Sequence, residues 1–258
     1  MENILSVNEV TKSFGSLRAV DGATFKVGER EVHSLIGPNG AGKTTLFNCI
    51  TGLLSPDSGH ILYKGEDITR WSIGRRVRSG MSRTFQITTL FLHLSVRENI
   101  ELAIRSRRGH NFNMFRTRDS LSNVKFEADE IMASVGISDM SDRFTSKIDY
   151  GDQRALEIAV AVSLNPEILF LDEPTAGMAR EEVGRITGLI KKLSERTAVL
   201  LVEHDVDIVL SISDRITVLV SGHVLADGTP EEIRSNPEVQ AAYFGGTEGA
   251  GEFVSIVE

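Results

Sequence analysis

Residues 36–54 read IGPNGAGKTTLFNCITGLL, and the order of residue types in this stretch decides the fold. An apolar run ends at Ile36, a glycine-rich loop follows, and an apolar helical stretch stops at Gly52, a residue suited to a left-handed C-cap. Positions 37–44 fit G-x-x-x-x-G-K-[ST], which forms a phosphate cradle when it lies between a strand and a helix. Side chains at Gly37, Gly40 and Gly42 would obstruct backbone N–H groups approaching phosphate oxygens. Lys43 is spaced to reach the β- and γ-phosphates of ATP, and Thr44 to hold Mg²⁺. Pro38, Asn39, Ala41 and Thr45 complete the candidate loop. The bland alternative is a chance match on a loop that opens a helix.

Context weighs against chance. ILFLDEP at 168–174 is a buried-type strand that delivers Asp172 and Glu173 to its C-terminal edge, where α/β sheets bind ligands. Alone, such an acidic pair is commonly a solvated turn. With a phosphate loop earlier in the chain, Asp172 becomes a candidate Mg²⁺ carboxylate and Glu173 a candidate for polarising the attacking water.

The surrounding chain reads as an α/β protein. ILSVNEV, LRAVDGATFKV and EVHSLIG are strand-like, and DSGHILYKGEDIT reads as a hairpin turning at Lys64 and Gly65. From about 95 to 161 the signal becomes helical, in VRENIELAIR, VKFEADEIMASVG and YGDQRALEIAVAVSL. PEILFLDEP and TAVLLVEH then alternate with a helix whose Val183, Ile186, Ile190 and Leu193 share one face, the pattern of parallel strands joined by crossover helices. A strand, a hairpin and two short helices end the ordered pattern in ITVLVSGHVLADGTPEEIRSNPEVQAAYFGG.

Composition bounds the function. With 258 residues, 41% hydrophobic and 25% charged, the chain can bury a sizeable core. A net charge of −8 argues against a surface devoted to nucleic acid. The one cysteine, Cys49, has no partner within the chain and reads as a small buried hydrophobe in a reducing compartment. The N-terminus lacks a signal-peptide pattern, and no window approaches the ~18 apolar residues of a membrane span.

Together these motifs resemble the nucleotide-binding subunit of ABC transporters, over nearly the whole chain. The resemblance implies a P-loop NTPase fold with an antiparallel β subdomain and an inserted helical subdomain. It places the ABC ATPase domain at 1–245, the helical subdomain at about 88–162 and a loose tail at 246–258. It also assigns further residues. Phe14, 29 residues before Lys43, matches the aromatic that stacks on adenine. Gln86 in SRTFQ matches the glutamine that contacts Mg²⁺ and couples to the membrane partner, and His204 in LLVEHD matches the switch histidine at the γ-phosphate. Their bland alternatives are a core aromatic, a surface amide and a neighbour of a helix cap. YGDQRALEIA, LDEPTAGM and ADGTPEEIRSNPEVQAAYFG are similar to the ATPases of branched-chain amino acid importers and their amide and urea relatives. The implied partners are a second ATPase subunit in a heterodimer, two permease subunits and, indirectly, a periplasmic solute-binding protein. The implied location is the inner face of the cell membrane. The alternatives are an exporter or lipopolysaccharide-transport ATPase of the same fold, and a soluble ABC nucleotide switch.

One motif departs from the family pattern. The signature that faces ATP on the opposite subunit is Leu-Ser-Gly-Gly-Gln or Leu-Ser-Tyr-Gly. Here Ile148 and Asp149 precede Tyr150, Gly151 and Asp152. Aspartate caps a helix as well as serine does, but it brings a negative charge toward phosphate. Two readings stand: a tolerated cap with both ATP sites working, or a weakened composite site offset by a partner with an intact signature. Ala179 also replaces the family's usual acid. The basic, aromatic stretch RSRRGHNFNMFRTR at 105–118 is expected to be a solvated loop, with a lipid or permease contact as the alternative.

Overall fold

The computed structural model describes residues 3–84, 90–109 and 118–244. Residues 110–117 of the basic stretch and the expected tail at 246–258 lie outside the described residues.

The amino-terminal strands β1 (Asn3–Phe14) and β2 (Leu17–Gly28) pair antiparallel. β1 pairs on its other edge with β4 (Ser58–Tyr63), which turns through Lys64 and Gly65 into β5 (Glu66–Asp67). The alternation in β1 breaks after Val7. Leu5 and Val7 are buried, and strict alternation would bury Glu9 next. Instead the register shifts between Val7 and Val10, Glu9 takes φ +49°, and Val10 enters the core. A bulge here keeps a carboxylate out of the interior.

The second sheet has the order β10-β9-β3-β8-β7-β6. Its members are β3 (Val32–Ile36), β6 (Met81–Arg83), β7 (Ile168–Asp172), β8 (Ala198–Val202), β9 (Arg215–Val220) and β10 (His223–Gly228). All pairings are parallel except the β9–β10 hairpin. β3, β7 and β8 are buried throughout, because both faces are covered. Alternate residues of β7 serve two cores. Ile168 and Phe170 pack with Phe47 and Ile50 of α1 (Lys43–Thr51) and with the antiparallel sheet. Leu169 and Leu171 pack with the helices α3 (Val96–Arg107), α4 (Arg118–Val135) and α5 (Tyr150–Val162). Ile100, Ile104, Val124, Ala128, Met132, Leu156 and Ala159 join those helices in the same buried cluster. α6 (Arg180–Ser194) presents Ile186 and Ile190 to it, and α7 (Val206–Ile212) follows β8.

α2 (Ile73–Arg78) and β6 fall outside the sequence expectations. α2 carries a buried arginine whose guanidinium donates to the carbonyls of Trp71, Cys49, Ile50, Ile68 and Thr69. Arg76 thereby satisfies carbonyls at the end of α1, which Gly52 closes in the left-handed region at φ +86°. Burial pushes the Arg76 guanidinium down to about 10. Cys49, on α1, is fully buried, and burial pushes its thiol up to about 11. α8 (Pro230–Ser235) and α9 (Pro237–Phe244) close the described chain.

Candidate functional site

The C-terminal ends of β3, β8 and β7 lie side by side, since Leu35 and Asp172 both pair with Val202. β3 leads into the 37–44 loop, β7 ends at Asp172, and β8 leads to His204. Three separate motifs therefore open on one sheet edge, where the strand ends of α/β proteins meet their ligands.

The glycines of the loop serve two purposes. A Cβ at Gly37 would overlap the Leu219 carbonyl, and one at Gly42 the Ala19 carbonyl, so packing behind the loop excludes side chains there. Gly40 faces open space, the situation expected where a ligand approaches. Gly42, at φ +101°, precedes α1 without capping it by a side chain. The first-turn amides of Lys43, Thr44 and Thr45 thus have no intrahelical acceptor, the arrangement that favours anions. Lys43 Nζ donates to the carbonyls of Gly37 (2.6 Å) and Pro38 (3.1 Å), which hold the ammonium across the loop. Burial lowers its affinity for a proton, and Glu173 partly offsets this. Thr44 and Asn39 are exposed, and Ala41 is buried with its carbonyl accepting from Gly222 N–H.

Asp172 is almost wholly buried, and Arg83 of β6 donates to its Oδ2 at 2.9 Å. Arg83 also donates to Asn48 Oδ1 (2.7 Å) and Thr51 Oγ1 (2.9 Å), tying β6 and β7 to the far end of α1. Burial raises the Asp172 carboxyl above its ordinary range, with Arg83 opposing. Its Oδ1 is buried and accepts no hydrogen bond among the described residues. A buried carboxylate oxygen without a hydrogen-bond donor, together with an exposed hydroxyl at Thr44, is of the oxygen-ligand type that Mg²⁺ prefers. Glu173 adopts φ +46°, with its N–H donated to Val202 O at 2.8 Å. His204 is exposed, immediately before Asp205, whose side chain caps α7.

Phe14 ends β1 at 49% exposure, with Lys12 Nζ 5.8 Å from its ring centroid, so it is not a core aromatic. Gln86 lies outside the described residues. The four signature residues divide. Asp149 and Tyr150 are exposed, and Asp149 Oδ1 accepts the Asp152 N–H at 2.8 Å as the N-cap of α5. Gly151 and Asp152 turn inward. A Cβ on Gly151 would overlap the Glu182 carboxylate, and Asp152 pairs with Arg185 of α6 at 2.6 Å. Ala179 cannot cap α6, whose first turn is closed by Glu182 accepting the Ala179 N–H at 2.9 Å. Sequence reading passed over Arg83 and Glu203, although SRTFQ and LLVEHD display them beside the residues it chose. No group of His, Cys, Asp and Glu among the described residues forms a ready-made metal cage.

Comparison with known proteins agrees with this geometry. Residues 20–176 match the ABC transporter family, and residues 223–249 match the Branched-chain amino acid ATP-binding cassette transporter family. The chain is 43% identical over 249 residues to the high-affinity branched-chain amino acid transport ATP-binding protein BraF of Pseudomonas aeruginosa, covering 94% of this chain and 98% of BraF. LivG of Escherichia coli, of the same description, is 41% identical with the same coverage. Among solved structures, the ADP conformation of MJ1267, an ATP-binding cassette of an ABC transporter, superposes with a TM-score of 0.83 at 28% identity, covering 95% of this chain and all of MJ1267. Both sheets, the loop between β3 and α1 and the helices beside them thus belong to an ABC ATPase, and the chain is a member of the ABC transporter ATP-binding proteins, in the branch of the branched-chain amino acid transport ATPases.

Proposed function

We propose that this chain hydrolyses ATP to drive uptake of branched-chain amino acids or related small polar solutes through two separate permease subunits. The observation that carries this reading is the meeting of Lys43, Asp172, Glu173 and His204 at the ends of three adjacent parallel strands. In this reading the amides of 40–45 and the Lys43 ammonium bind the phosphates, Phe14 stacks on adenine, and Glu173 orients the attacking water. His204 meets the γ-phosphate, and Asp149 and Tyr150 face ATP held by a second ATPase subunit. Thr44, Gln86 and Asp172 would hold Mg²⁺, whose positive charge would offset the negative charge that develops on the phosphates. Catalysis is then mainly positioning and electrostatics.

Residues 1–245 act as one ATPase unit, in which the helices of about 88–162 form the inserted subdomain that carries Asp149. No described helix is long and apolar enough to cross a membrane, so attachment to the inner face of the cell membrane comes through the permeases. A periplasmic solute-binding protein would deliver the cargo. The names of BraF and LivG, and the match of 223–249, support amino acid transport over lipopolysaccharide export.

Replacing Glu173 by glutamine keeps the shape and removes the base. Glu173→Gln is expected to lower turnover of the assembled transporter by at least ~100-fold while ATP affinity stays within about twofold. Turnover close to that of the unaltered protein would remove Glu173 from the catalytic role.

A further inference from the structure

Between Glu173 and His204 lies a carboxylate that the proposed mechanism leaves unused. Glu203 follows β8 and is fully buried. Its Oε1 accepts from the Thr175 N–H at 3.1 Å and the Thr175 hydroxyl at 2.5 Å. Its Oε2 accepts from the His204 backbone N–H at 3.2 Å and lies 3.6 Å from His204 Nδ1. Among the described residues no lysine or arginine forms an ion pair with it. A buried carboxylate is costly unless hydrogen bonds replace its hydration, and here every donor comes from the two loops that present Glu173 and His204.

Thr175 stands two residues after Glu173, in a turn where Ala176 N–H donates to Glu173 O and Met178 N–H to Thr175 O. Glu173 itself sits at φ +46°, a conformation that a non-glycine residue keeps only when its surroundings over-determine it. Two ties hold this turn to β8 and the segment after it: Glu173 N–H to Val202 O, and Thr175 to Glu203. The second tie continues to His204. The two oxygens of one rigid carboxylate therefore span the gap between the loops.

We propose that Glu203 is a positioning residue, which sets the distance between Glu173 and His204 by binding Thr175 with one oxygen and the His204 backbone with the other. This rests on the reading of Glu173 and His204 as the groups that face the γ-phosphate. Glu203 touches neither nucleotide nor water in this role. Its loss should therefore disturb the hydrolytic step more than ground-state binding by the 37–44 loop.

The test uses the full-length chain co-purified with its transmembrane and ATPase partners, carrying Glu203→Gln, Thr175→Val, both together, Thr175→Ser, or Glu173→Gln. Glu203→Gln and Thr175→Val are each expected to lower kcat about tenfold or more with KM for ATP changed by about twofold or less. The double variant should be no worse than the poorer single one, because both cut the same link. Thr175→Ser keeps the hydroxyl and should restore most of kcat. If Glu203→Gln does not fold, Thr175→Val against Thr175→Ser decides the matter. Three results would overturn the inference: kcat near the unaltered value in both single variants, multiplicative losses in the double variant, or kcat and ATP affinity falling together with the melting temperature. A dead Glu173→Gln beside an active Glu203→Gln defeats this inference alone. An active Glu173→Gln defeats the reading of the site beneath it as well.

Discussion

α1 and α5 begin in opposite ways. α1 starts from Gly42 in a left-handed conformation, with no side-chain cap and no acid in its first turn. α5 starts from Asp149, whose carboxylate already binds the Asp152 N–H, and carries Asp152 in its first turn. The first helix end leaves its amides for an external anion. The second supplies an anion of its own. A free helix N-terminus carries partial positive charge, and an acidic cap largely neutralises it. Two helix ends proposed to face phosphate thus differ in charge as well as in place. An ionised carboxylate 4 Å from a phosphate charge is opposed by ~4 kcal/mol per unit charge at an effective dielectric of 20, an upper guide that Mg²⁺ and solvent reduce.

The comparison depends on α1 being held firmly from behind, and the largest expected effect tests that support. Arg83→Met would leave the buried Asp172 carboxylate without its cation and release Asn48 and Thr51. Breaking a buried pair by removing one partner should lower stability by about 3–5 kcal/mol in a denaturant titration. A loss under about 1 kcal/mol would mean that α1 is anchored mainly by the buried guanidinium of Arg76 and by packing. Next in size is the adenine side of the same region. Phe14→Ala should weaken ATP binding by about 1–3 kcal/mol in calorimetric titration. Equal affinity in both proteins would confine recognition to the phosphates.

The smallest effects concern α5. Asp149→Ala should cost about 1 kcal/mol of stability through loss of the cap, and Asp149→Ser only a few tenths. The serine variant should also increase ATP-dependent dimerisation and turnover of the isolated chain, because a hydroxyl can donate to phosphate without bringing charge. With a partner subunit whose signature is intact, the same change should matter less. If the isolated chain gains nothing from serine, the contrast between the two helix ends is one of capping alone.

The sequence displayed some of these features and hid others. α1, β3 and β7 were legible because glycine, lysine and acidic positions are fixed by local chemistry, and β7 and β8 because strands covered on both faces read as unbroken apolar runs. α2 was not, since its six residues carry three arginines and its buried residue is one of them. β6 is three residues long, too short for any period to show. The capping role of Asp149 followed from residue type. The inward turn of Gly151 and Asp152 did not, because it depends on Glu182 and Arg185 arriving from α6. Arg83 and Glu203 were missed for the same reason: each draws its meaning from partners distant in the chain.

The deep burial of Cys49 bears on how the α5 end can be observed. Burial raises the thiol to about 11, so it stays protonated at neutral pH, and its sulfur is sealed inside α1. The chain has no other cysteine. A cysteine introduced at exposed Tyr150 would therefore be the one thiol open to a maleimide spin label or fluorophore, with the native residue left in place. Distances between such probes on two subunits would report when the α5 ends close on nucleotide.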